Sequence, residues 1–84
     1  GRRTAEARVA AFLLSLAEAG RRRHHVGTVY DMPMTRADIA DFLGLTLETV
    51  SRTLTAFRKR GWIREPAHQR VELINLASLS ELAE

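Results

Sequence analysis

The sequence contains no cysteine, so neither disulfides nor thiolate metal sites can staple this small domain. Long apolar runs are also lacking. The longest, AAFLLSLA, falls far short of the roughly 20 residues that cross a bilayer, and no signal-peptide pattern precedes it. Together these absences predict a cytoplasmic protein held by its own core. No glycine-rich phosphate loop occurs. Three histidines and scattered carboxylates form no nucleophile–base–orienter set. An enzyme is therefore not expected, and no catalytic or cofactor-binding residue is assigned. His24 and His25 are adjacent, with no third ligand at useful spacing; they read as surface residues rather than a metal site. Internal repeats and low-complexity linkers are absent too.

What remains is 84 residues, 45% hydrophobic, which is one domain at the size where a single core is just adequate. The net charge is only +3, but its placement is uneven. From Arg52 to Arg64 there are five basic residues and no acid, whereas from Asp31 to Glu48 there are four acids and one arginine. A basic stripe on a near-balanced protein predicts an anionic partner at one face.

Val9, Phe12, Leu13 and Leu16 recur at helical spacing and predict a first amphipathic helix, capped by Thr4, favoured by Glu6 in its first turn and ended by Gly20. A polar loop, RRRHH, and a short β-prone run, VGTVY, follow. Thr35-Arg36-Ala37-Asp38 has the form of a capping box opening a second helix, with Ile39, Ala40 and Leu43 buried and Gly44 as its stop. Thr46 caps a third helix whose buried stripe is Val50, Thr53, Leu54 and Phe57, with Gly61 as its C-terminal cap. Trp62-Ile63 and Val71-Leu73 flank EPAHQ as a hairpin or wing, and LASLSELAE predicts a short final helix.

Only Gly44 and Leu45 separate the second and third helices, which forces a steep crossing: a helix-turn-helix. Ala40 is small at the crossing, Gly44 can take a positive backbone angle, and Ile39, Leu43, Leu45 and Val50 supply the shared core. The third helix then turns Leu47, Glu48, Ser51, Arg52 and Thr55 outward. Positions 47 to 55 span about 12 Å, enough to reach several base pairs. Glutamate can accept from a cytosine amino group, arginine can bridge guanine, serine can pair with either kind of edge, and leucine can meet a thymine methyl. That edge is expected to read bases. Thr35, Arg36, Thr46 and Thr49, at helix starts, are candidates for phosphate. Arg58 and Lys59 at the end of the third helix, and His68 and Arg70 in the wing, are further candidates, although cations at a helix C-terminus also serve the dipole.

The segment TRADIADFLGLTLETVSRTLTAFRKRGWI closely resembles the DNA-binding part of the Crp/Fnr family of bacterial transcription regulators. Glu48-Thr49-Val50-Ser51-Arg52 is most similar to the Fnr/FixK branch, which carries Glu, Ser and Arg at this spacing. The resemblance is strong from Thr35 to Val71 and looser over the first helix. It implies a winged helix-turn-helix, mainly α with a small β-hairpin wing. It also implies reading of TTGA-type half-sites in a two-fold symmetric operator, with Glu48 and Arg52 on the G·C pair and Ser51 on an outer thymine. The helix-turn-helix would span residues 35–60 and the wing 62–75 of a single domain, 1–84.

Thr53 replaces the larger aliphatic residue usual at its position, and the wing, with Pro66, is longer than in familiar members. Members normally carry an N-terminal sensory β-barrel and a long dimerisation helix. The chain opens on glycine instead, which predicts a C-terminal piece of a longer, homodimeric regulator, itself monomeric or a weak dimer. The resemblance further implies an activator that touches RNA polymerase through the loop from Arg23 to Asp31; a solvated basic loop accounts for the same residues. The competing function is a protein–protein module on the same fold, which calls for an apolar outer edge on the third helix.

Overall fold

The computed structural model describes residues 3–84. Its elements run α1 (Ala5–Arg22), β1 (Val29–Asp31), α2 (Arg36–Leu43), α3 (Leu47–Lys59), β2 (Ile63–Ala67), β3 (Arg70–Leu73) and α4 (Leu76–Ala83). Local chemistry sets most of these boundaries. The Thr4 hydroxyl accepts from the Ala7 amide, and Asn75 caps α4 through the Ser78 amide. At Thr35 the capping box is complete: its hydroxyl accepts from the Asp38 amide at 3.1 Å, and its own amide donates to the Asp38 carboxylate at 3.4 Å. Gly44 ends α2 in the left-handed region, at φ 71°, which glycine adopts without a Cβ penalty.

One boundary corrects the sequence reading. Gly20 does not end α1; the helix continues through Arg21 and Arg22 and is capped at Arg23, whose amide donates to the carbonyls of Ala19 and Gly20. Gly20 is buried instead, because the Tyr30 ring lies on it: a Cβ there would come within 2.8 Å of Tyr30 Cε1. Its lack of a side chain serves packing rather than termination.

The core gathers Val9, Leu13, Ile39, Val50, Leu54, Phe57, Ile63, Val71 and Leu73, none more than 2% exposed. These come from α1, both helices of the helix-turn-helix and the sheet, and α3 packs on α1, α2 and β2. Leu16, Leu43 and Leu45, expected in the core, are partly buried at its margin. Thr53 is buried at 6% exposure. Arg8 of α1 also donates to the Leu43 carbonyl at 3.1 Å, tying the first helix to the turn.

The hairpin expected from the sequence is part of a larger sheet. Strand order is β1-β3-β2, antiparallel throughout, with Val29, Tyr30 and Asp31 paired to Glu72, Val71 and Arg70. The VGTVY run thus completes the wing from 40 residues upstream, a pairing no local pattern announces. Pro66 lies on β2, at the sheet edge, where a missing N–H costs no ladder bond. The register slips between Arg64 and Ala67, so Glu65 and Pro66 occupy a bulge. No helix of the described residues is long and apolar enough to cross a membrane.

Candidate nucleic-acid interface

α3 presents two chemically different sides. Val50, Leu54 and Phe57 are buried, which leaves the opposite edge open. Glu48 and Arg52 are exposed, Leu47 is 49% exposed, and Ser51 and Thr55 are half-buried. Leu47 places one apolar side chain among these polar groups.

The first turn of α3 is wired internally. The Thr46 hydroxyl accepts from the Thr49 amide at 3.1 Å and donates to the Thr49 hydroxyl at 2.9 Å. Arg52 Nη2 lies 3.5 Å from that same Thr49 oxygen. Thr46 and Thr49 therefore cap the helix and orient Arg52 together. The guanidinium keeps most of its donors free.

The remaining candidates divide by their partners. Thr35 is at the exposed start of α2, its hydroxyl engaged in the capping box. Lys59 and His68 are exposed, the latter at the wing turn. Three arginines proposed for phosphate are paired with acids of the same chain. Arg70 lies 3.1 Å from Asp31 across the β1–β3 register. Arg36 and Arg58 share a single carboxylate: Arg36 Nη2 is 2.9 and 2.8 Å from the two oxygens of Glu65, and Arg58 Nη1 is 3.0 Å from one of them. Arg60 turns away, toward Glu6 at 3.4 Å and over the Trp62 ring at 4.9 Å; it anchors the end of α3 to α1 and the core.

Sequence reasoning missed Glu65. Glu65 is the sole acid between Arg52 and Arg70, a signal that was there to be read. Gln69 takes a positive φ of 55° at the wing turn, and its carbonyl accepts from the Met32 amide at 2.8 Å. That bond fixes the wing tip against the entry to α2. A hollow of about 400 Å³ consequently opens between the start of α2, Leu47 and the wing, with Thr35, Arg36, Glu65 and His68 on its walls. Three separate elements thus border one surface: the first helix of the motif, the start of α3 and the wing turn.

The sequence pattern of the Crp-like helix-turn-helix domain matches residues 7–82. Among curated relatives, the nitrogen fixation regulation protein FixK of Azorhizobium caulinodans is 48% identical over 98% of this chain and 34% of its own length. A probable transcriptional activator of Rhizobium leguminosarum bv. viciae is 53% identical over 76% of this chain and 27% of its own. The solved structure of FixK2 from Bradyrhizobium japonicum superposes with a TM-score of 0.85 at 42% identity, covering all of this chain and 40% of that one. The chain thus spans about a third of the length of these relatives.

Proposed function

We propose, for a chain that belongs to the Crp-like helix-turn-helix family, that it is the DNA-binding domain of a transcription regulator and lays α3 in the major groove. The observation that carries this reading is the outer edge of α3, where Leu47, Glu48 and Arg52 are open to solvent while Val50, Leu54 and Phe57 behind them are buried. An edge of this composition matches base-pair edges better than a protein surface, which would favour apolar contacts.

Glu48 and Arg52 read a G·C pair, Ser51 an adjacent thymine, and Leu47 and Thr55 the flanking edge, as in a TTGA-type half-site. Thr35, Thr46 and Thr49, at helix starts, and Arg36, Arg58, Lys59, His68 and Arg70 around them, position the domain on phosphates. A two-fold operator is engaged by two copies joined through a longer chain. Joining raises affinity through effective concentration, so this chain alone binds a half-site weakly. The segment from Arg23 to Asp31, with Val26 92% exposed, is the surface left for RNA polymerase.

The test is a fluorescence-anisotropy titration of a duplex carrying TTGAT-N4-ATCAA against one altered at the G·C pair of each half-site. Preference for the intact duplex, with binding that weakens by a slope of about −0.9 per phosphate neutralised, is the expected result. Binding indifferent to salt would instead favour a protein-interaction module.

A further inference from the structure

Glu65 is placed with unusual economy. Residues Ile63 and Glu65 share the face of β2 that turns toward the helices, while Arg64 points away to Glu72. The bulge at Glu65-Pro66 bends the strand at that point, and bulges re-aim side chains. The carboxylate, 18% exposed, ends between Arg36 at the start of α2 and Arg58 on the last turn of α3. These are basic groups of the two helices of the motif, one on each. A single negative charge therefore offsets one of two positive charges.

The purpose of such a pairing is not chiefly stability, because ion pairs reached by solvent contribute about 0–1 kcal/mol. Its effect on a polyanion is larger. A carboxylate that accepts from two guanidiniums does what a backbone phosphate oxygen would do at the same place. It uses Nη2 of Arg36 and Nη1 of Arg58, which leaves the other donors of each fork free. An arriving phosphate can engage those donors, but only against the charge of Glu65.

We propose that Glu65 is an intramolecular stand-in for a DNA phosphate, holding Arg36 and Arg58 together and lowering the affinity of the domain for DNA of any sequence. The proposal rests on the DNA-binding reading above. It adds a residue that sets how much of the total affinity comes from the backbone rather than from the bases. Lowering the sequence-independent contribution is useful to a reader whose non-specific competitors vastly outnumber its sites.

The experiment is the same anisotropy titration, on intact and G·C-altered duplexes at several salt concentrations, with wild type, Glu65→Gln, Glu65→Ala and Glu81→Gln. Glu81 lies on α4, which packs on α1, and its substitution changes net charge by the same amount. Circular dichroism confirms that each variant is folded, and Glu65→Ala serves if Glu65→Gln is not. The Glu65 variants are expected to bind both duplexes roughly three- to ten-fold more tightly at about 0.1 M salt, the scale of one unit charge at close range near a protein surface. Their salt slope should steepen by about 0.9 for each further phosphate engaged, while Glu81→Gln stays at wild type. In an Arg36→Gln, Arg58→Gln background the gain should largely vanish. Equal or weaker binding by the Glu65 variants, with wild type still binding the intact site, overturns this inference alone. A gain matched by Glu81→Gln also overturns it, since net charge would then suffice. Failure of wild type to bind DNA overturns it together with the reading it rests on.

Discussion

The helix-turn-helix and the wing are built by opposite means. Within residues 35–60 the bonds that define structure are local: Thr35 with Asp38, Thr46 with Thr49, Arg52 with Thr49, each three residues apart. In the wing several side-chain contacts are long-range. Thr28 reaches Glu72 across 44 positions, Arg36 reaches Glu65 across 29, and Gln69 reaches Pro33 across 36. A motif assembled from local bonds can be formed by its own sequence and merely needs a platform. A wing assembled from distant bonds depends on the rest of the chain for its position, and its position decides which charges face the ligand.

The sharpest way to break the comparison is at the seam between the two regions. Phe57 is fully buried on α3 and its ring lies 5.4 Å from that of Trp62, which leads into β2. Phe57→Ala should destabilise the domain by about 3–5 kcal/mol, a large share of the stability of so small a fold. If both regions form one cooperative unit, Trp62 fluorescence and helical circular dichroism lose their native signals together on heating. Separate transitions would show that the wing melts independently of the helices.

The next effect is on recognition. Arg52→Ala should reduce discrimination at the G·C pair by about 1–3 kcal/mol, whereas Arg36→Ala should weaken matched and altered duplexes about equally. Competition titrations with the two duplexes separate these outcomes. If both variants act alike on both duplexes, Arg52 is not a base reader.

A smaller effect tests how far the motif rests on its local bonds. Thr46→Ala removes the acceptor for the Thr49 amide and the partner of the Thr49 hydroxyl, and should cost about 1 kcal/mol in urea unfolding. It should also loosen Arg52 through Thr49. No change in stability would mean that the packing of Val50 and Leu54 alone starts α3.

The same contrast explains what could be read from the sequence. The helix-turn-helix was legible because its signals are short-range: a hydroxyl three residues before its amide partner, a glycine at the turn, an apolar period of one helical face. The edge of α3 followed directly from that face. Gly20 was misread because a glycine beyond an apolar stripe looks like a stop; the ring that requires its bareness, Tyr30, belongs to another element. β1 was recognised as β-prone but not as part of the wing, since a strand pattern does not state its partner. Glu65 was overlooked for the same reason. Its charge was visible, but its two arginines are brought to it only by a bulge and by tertiary packing.

The smallest effect lies on the outer face of the wing, where acid should tell a paired carboxylate from a free one. Arg64 and Glu72 are register partners on β2 and β3, with 2.7 Å between guanidinium and carboxylate. The hydrogen bond from Arg64 lowers the Glu72 carboxyl below its ordinary value of 4.5; burial opposes this, and the Arg64 charge and the Thr28 hydroxyl add to it. A carboxyl lowered by folding stabilises the native state above its unfolded value, and that contribution disappears as pH falls through the lowered one. Wild type should therefore melt slightly above Glu72→Gln at pH 7, and the gap should shrink as pH falls below 4.5 and close beneath the lowered value, where wild type carries a neutral carboxyl as well. High salt should also narrow the gap, because the Arg64 side chain is 61% exposed. A gap that persists in acid would mean that the charge of Glu72 is not what it contributes, and that the ion pair with Arg64 is not what holds the outer face of the wing.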